Sequence, residues 1–256
     1  MPTLYAVQLD IVWENKPATF ARVRLLLERA KPTAGSLIVL PEMFATGFSM
    51  NVEMIKEGTL RAGEAFLKEI AREFKATVIG GVVNTNSDSR GLNQALAIAP
   101  DGTELLRFDK MHPFSLAREN VHFAAGNLVG TFEWAGLKVS PAVCYDLRFP
   151  EQFRQGAQQG AQVFTVIANW PVKREAHWLT LLAARAIENQ AYVVGVNRCG
   201  KDPHFTYSGR TVIIDPHGVI IADAGNVEGI CTAEIDRDVV EQWRVDFPAL
   251  RDGGIR

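Results

Sequence analysis

Cysteine is scarce in this sequence: Cys144, Cys199 and Cys231 are the only three in 256 residues. The number is odd and no C-x-x-C pair occurs, so neither a disulfide framework nor a zinc site is supported, and a cytoplasmic setting is expected. Histidine is also sparse, with five residues and no H-E-x-x-H or similar spacing. No metal and no cofactor are expected. Charge of one sign is not in excess: 27 Lys and Arg stand against 29 Asp and Glu, a net charge of -2. That balance gives no electrostatic footprint for nucleic acid or an anionic membrane. The N-terminal MPTLYAVQLDIVWEN has neither a basic region nor a long apolar run, so neither secretion nor membrane spanning is expected. No Pro/Ser-rich linker or charge block divides the chain, and one domain over 1–256 is expected.

What the chain does have is apolar material, 47% of its residues, enough for a sizeable core. Short apolar runs read as strands near 3–8, 36–40, 76–83, 93–99 and 105–108, then 128–134, 137–143, 162–169, 191–197, 211–215 and 219–223. Helical patterns fall near 16–30, 62–74, 150–159, 174–190 and 236–244. Strands interleaved with helices indicate an α/β protein. Pro100-Asp101-Gly102, Ala135-Gly136 and Pro216-His217-Gly218 lie between apolar runs and read as hairpins, so the sheets should be mixed.

The stretch PAVCYDLRFPE, 141–151, joins a buried strand to a helix start marked by Pro150 and Glu151. Most lone cysteines on apolar strands fill cores. Cys144, however, falls in the turn itself, where α/β folds present nucleophiles at the carboxyl edge of a sheet. Oriented N–H groups there can stabilise a thiolate and an oxyanion. A thiol needs a base. The surroundings of Cys144 lack the papain-type signature, so a carboxylate in a dry pocket is the alternative. Glu42, in SLIVLPEMF, ends a strand among Leu40, Met43, Phe44 and Phe48, and burial there should favour proton uptake. Lys110, in LLRFDKMHPF, ends another strand and could hold an oxyanion. Any one of these charges would ordinarily be a solvated loop residue; Glu, Lys and Cys at three strand ends form a set with a chemical use.

PEMF around Glu42, the Asp109-Lys110-Met111-His112 segment and CYDLRFPE around Cys144 resemble the nitrilase, or carbon–nitrogen hydrolase, superfamily in kind and order. The likeness extends over nearly the whole chain, through AHWLTLLAARAIENQAYVVGVNRCG and SGRTVIIDPHG. It implies an α-β-β-α sandwich that dimerises into a four-layer assembly. It implies Cys144 as nucleophile, Glu42 as general base and acid, Lys110 as oxyanion stabiliser, and the Tyr145 backbone N–H as the second oxyanion donor. It also implies that Glu119, before Gly126, positions the lysine or the substrate.

The CYDLRFPE, AHW and RAIENQ segments are most similar to the bacterial omega-amidases, which implies hydrolysis of 2-oxoglutaramate or 2-oxosuccinamate to the 2-oxo diacid and ammonia. Such a substrate carries a carboxylate, and its pocket needs a cation. Arg148, Lys173, Arg174 and Arg198 are candidates, with an ion-pair role equally open to Arg148. Trp170 and Phe114 could wall the pocket. Other readings remain: an amidase for another small amide or N-carbamoyl compound, a nitrile hydrolase, or a non-catalytic binding protein, which would not require all three of Glu42, Lys110 and Cys144. Cys199 and Cys231 are read as structural.

Overall fold

Successive residues of a strand face opposite ways, and in this chain both sets are often apolar. In Thr3–Gln8, Leu4 and Ala6 enter one core while Tyr5 and Val7 enter another. In Leu37–Val39, Leu37 and Val39 join the first core and Ile38 the second. Strands buried on both faces must lie between other layers. The computed structural model, which describes residues 1–254, has that form: two six-stranded sheets face each other and helices cover the outside of each.

The first sheet runs Gly229–Glu234, Thr3–Gln8, Leu37–Val39, Thr77–Thr85, Gly91–Ile98, Glu104–Asp109. Thr3–Gln8, Leu37–Val39 and Thr77–Thr85 are mutually parallel, and the outer strands are antiparallel. The second runs Ile220–Asp223, Val212–Ile214, Tyr192–Asn197, Val163–Ala168, Leu137–Val143, Phe132–Trp134, with Leu137–Val143, Val163–Ala168 and Tyr192–Asn197 parallel. Helices Lys16–Ala30 and Ala62–Phe74 bury Val23, Leu27, Phe66 and Ile70 against the first sheet. Helices Pro150–Gln158 and Glu175–Asn189 bury Phe153, Trp178 and Leu182 against the second. Local chemistry sets the helix ends. Asn15 accepts a bond from Ala18 N at 3.1 Å at the start of Lys16–Ala30, and Pro150 occupies a first turn where its missing N–H is not needed. Among the described residues no helix is long and apolar enough to cross a membrane.

The three expected hairpins are antiparallel pairs. Three details differ from the sequence reading. The run 128–134 is a strand only over Phe132–Trp134; Leu128 is exposed, and the ladder begins where Phe132 meets Val139. Gly229–Glu234 is a strand the sequence did not announce, because its partner, Thr3–Gln8, lies at the other end of the chain. Cys199–Lys201 and Thr206–Ser208 form a small separate hairpin.

The inner parallel strands of both sheets place their carboxyl ends together. Glu42 follows Leu37–Val39, Cys144 follows Leu137–Val143 and Asn169 follows Val163–Ala168. Lys110 follows Glu104–Asp109 at the edge of the first sheet.

Candidate active site

The turn at Cys144 is backbone-strained. Cys144 has φ +49°, a left-handed conformation uncommon for a residue with a side chain, and the 3-10 turn Cys144–Arg148 follows. Asp146 braces it: Oδ2 accepts the Val143 N–H at 3.0 Å. Met43, just after Glu42, is also left-handed, with φ +44°. Behind it the backbone of Gly81 passes so close that a β-carbon there would lie 2.3 Å from Met43 N and 2.6 Å from Glu42 Cα. Only glycine permits that approach.

Six side chains meet in one buried group: Glu42, Asn93, Lys110, Glu119, Cys144 and Asn169. Lys110 Nζ donates to Glu42 Oε1 at 2.9 Å and to Glu119 Oε1 and Oε2 at 3.0 and 2.9 Å. Asn93 Nδ2 bridges Glu42 Oε1 at 2.7 Å and Glu119 Oε1 at 2.9 Å. Glu42 Oε2 accepts from Asn169 N at 2.8 Å and from Asn169 Nδ2 at 3.2 Å. Glu119, in the short helix Glu119–His122, also accepts the Phe114 N–H at 2.6 Å. Glu42 and Glu119 are fully buried, Lys110 nearly so, and Cys144 is 9% exposed.

The electrostatics correct one expectation. Burial does push the Glu42 carboxyl upward, but the Lys110 ammonium and the Asn93 and Asn169 donors outweigh it, leaving Glu42 below the usual carboxylate range. Burial similarly pushes Lys110 down, and the charges of Glu119 and Glu42 overcome it, so Lys110 is raised and stays an ammonium. The Cys144 thiol is pushed well above its ordinary value, first by burial and then by the Glu42 charge, against the opposing pull of Lys110. Glu42 is therefore held toward its ionised form and Cys144 toward its protonated form.

Cys144 opens into a cavity walled by Phe48, Phe114, Tyr145, Trp170 and Phe205, with Arg148 and Arg174 at its sides. The Arg148 guanidinium lies 4.8 Å from the Trp170 ring centroid and 5.7 Å from that of Tyr145. Arg174 lies 5.4 Å from that of Phe114. Among the described residues neither has a carboxylate within ion-pair distance; the Arg148 guanidinium lies 3.2 Å from His177 Nδ1. Lys173 lines an adjoining outer cavity and does not reach Cys144's. Arg198 is fully buried and bonded to Asp10 Oδ1 and Ile11 O, each at 3.2 Å, and so serves the structure. Cys199 and Cys231 are buried, away from this cavity.

Sequence reasoning missed Asn93, Asn169, Asp146 and His112. Asn169 ends the run QVFTVIAN, a fourth strand end that could have been noticed; Asn93, inside a strand, carries no local signal.

The sequence profile of carbon–nitrogen hydrolases matches residues 4–245. The chain is 41% identical over 253 residues to omega-amidase YafV of Yersinia enterocolitica, covering 97% of this chain and 95% of that protein. It is 33% identical over 251 residues to 2-oxoglutaramate amidase of Bacillus subtilis, covering 98% and 96%. Its fold matches that of a CN-hydrolase superfamily protein of Xanthomonas campestris, solved with an arsenic adduct in the active site, with a TM-score of 0.91 at 31% identity over 98% and 97% of the two chains. The chain belongs to the carbon–nitrogen hydrolase family. It is an enzyme that hydrolyses carbon–nitrogen bonds on the nitrilase fold.

Proposed function

We propose that this enzyme cleaves the terminal amide of a small 2-oxo acid, 2-oxoglutaramate or 2-oxosuccinamate, giving the 2-oxo diacid and ammonia through a Cys144 thioester. The observation that carries the reading is one cavity holding the Cys144 thiol and the two guanidiniums of Arg148 and Arg174, neither with a carboxylate partner among the described residues. A short amide with a carboxylate at its far end would use both features. The relatives named omega-amidase and 2-oxoglutaramate amidase support the same choice.

In this reading Glu42 accepts the thiol proton as sulfur attacks the amide carbonyl. The carbonyl electron pair moves to oxygen, held by Lys110 and by the Tyr145 N–H, which sits in the first turn of the 3-10 segment where no intrahelical acceptor is due. Glu42 returns the proton to nitrogen, the C–N bond breaks and ammonia leaves a thioester. A water deprotonated by Glu42 then releases the acid and regenerates the thiol. Glu119 keeps Lys110 in place throughout. The reading takes 1–256 as one catalytic domain, working in the cytoplasm as a homodimer; a monomer mass by small-angle scattering would remove the dimer.

The test is ammonia release from 2-oxoglutaramate, with glutamine as control amide and Cys144→Ala as control enzyme. Release by wild type alone, much faster than from glutamine, is expected. No release by a folded wild type would end the substrate assignment. Release surviving Cys144→Ala would end the thioester.

A further inference from the structure

An ionised carboxylate offers about four lone-pair positions. Glu42 has four donors: Asn93 Nδ2 and Lys110 Nζ on Oε1, and Asn169 N and Nδ2 on Oε2. Every position is taken. A proton can reach Glu42 only where a donor lets go, so the arrangement of donors decides which oxygen works as the base.

Asn93 makes the two oxygens unequal. It is 1% exposed, and its nitrogen gives one hydrogen to Glu42 Oε1 at 2.7 Å and the other to Glu119 Oε1 at 2.9 Å. Its Oδ1 is buried with no partner among the described residues. The amide is thus oriented by its nitrogen alone; reversed, its oxygen would face two carboxylates. Its main-chain carbonyl accepts the Lys110 N–H at 2.8 Å. One neutral residue therefore touches both carboxylates and the backbone of the lysine between them.

We infer that Asn93 is a positioning residue of the reaction, pinning Oε1 of Glu42 against Glu119 so that the thiol proton is delivered to Oε2. The inference rests on the thiol–carboxylate reading above. The S–H bond breaks and an Oε2–H bond forms. The contact given up is the longest of the four, from Asn169 Nδ2 at 3.2 Å. That nitrogen keeps its 2.8 Å bond to the Glu42 main-chain oxygen. The Asn169 N–H keeps its 2.8 Å bond to Oε2. Among the described residues the titratable groups facing Glu42 are Lys110, Cys144, Glu119 across Asn93 and Lys110, and Tyr207 from the hairpin strand Thr206–Ser208.

The experiment is the pH profile of kcat and kcat/KM for Asn93→Ala and Asn93→Ser, each checked for folding by circular dichroism. Asn93→Ala should lower kcat by about 10- to 100-fold through misplacement of the base, with KM little changed. Losing a donor should also move the acid limb of kcat/KM upward by about one pH unit. Asn93→Ser keeps a hydroxyl donor and should show a smaller loss and a smaller shift; it carries the test if the alanine variant does not fold. The pH dependence of Cys144 alkylation by iodoacetamide should show the same displaced limb without any substrate. A folded variant with wild-type kcat and an unmoved limb overturns the role of Asn93 while leaving Cys144 chemistry intact. Turnover that survives Cys144→Ala overturns the thiol reading and this inference with it.

Discussion

Asp146 and His112 are joined twice: Asp146 Oδ1 accepts the His112 main-chain N–H at 2.9 Å and lies 2.8 Å from His112 Nδ1. The other oxygen of Asp146 accepts the Val143 N–H at 3.0 Å. One fully buried carboxylate thus ties the loop that follows Lys110 to the turn that carries Cys144. The His112 ring is in turn stacked on Phe149, with centroids 3.8 Å apart. Lys110 and Cys144 belong to different sheets, and this strap sets one against the other.

Asp146→Ala should therefore damage both stability and rate. It removes the acceptor of two backbone N–H groups, an effect of about 1–3 kcal/mol for each group left buried and unpaired. Thermal unfolding should show a marked fall in Tm. Asp146→Asn keeps the shape and one acceptor oxygen, and should lose less stability while kcat still drops by about tenfold. A wild-type Tm for Asp146→Ala would contradict the strap.

Replacing Arg148 or Arg174 separates binding from chemistry. A charge-assisted hydrogen bond contributes about 1.5–3 kcal/mol, so the variant lacking the carboxylate anchor should raise KM for 2-oxoglutaramate by about 10- to 100-fold. Its kcat should change little, and hydrolysis of an uncharged amide should be unaffected. Measuring Arg148→Gln and Arg174→Gln side by side identifies which guanidinium takes the carboxylate. An unchanged KM in both would exclude these two arginines as the anchor.

Gly81→Ala should act on Glu42 without touching it chemically. The added carbon would lie 2.3 Å from Met43 N, so the Pro41–Glu42–Met43 backbone or the Thr77–Thr85 strand must move. Overpacking of this kind costs about 1–3 kcal/mol, and the accompanying shift of Glu42 should lower kcat beyond what reduced stability explains. Gly58→Ala, where an added carbon meets nothing within 4 Å, is the control and should leave both stability and kcat near wild type.

Glu64 gives a pH prediction away from the active site. Its side chain is only 4% exposed. Burial pushes its carboxyl up, but hydrogen bonds from Arg61, Arg107 and Asn84 prevail and hold it at about 2. Because the folded value is lower than the unfolded one, its stabilisation is present above the ordinary glutamate range, about 4.3. It is lost as pH falls from there toward 2. Glu64→Gln should be less stable than wild type at neutral pH and should lose less on acidification, measured as the urea midpoint between neutral pH and pH 3. Parallel pH curves for the two proteins would show that Glu64 is not the source.

Local pattern alone marked the alternating strands, the three hairpins and the strand ends at Glu42, Lys110 and Cys144, because apolar periodicity and turn chemistry are properties of neighbouring residues. Phe114 and Trp170 were legible as aromatics near those ends, but not the cavity they share. The strand Gly229–Glu234 escaped because its pairing with Thr3–Gln8 is a long-range event. Asn93 escaped because a mid-strand amide looks the same whether it faces solvent or two carboxylates. The direction of the Glu42 shift was misjudged for a related reason: sequence shows that apolar residues flank it and predicts desolvation, while the opposing donors, Lys110, Asn93 and Asn169, stand 68, 51 and 127 residues away. What the sequence by itself determined is the set of elements and the kinds of group at their ends. Only the tertiary structure decided which groups meet, and so which charges prevail, because electrostatic and hydrogen-bond energies depend on distances in space that chain order does not contain.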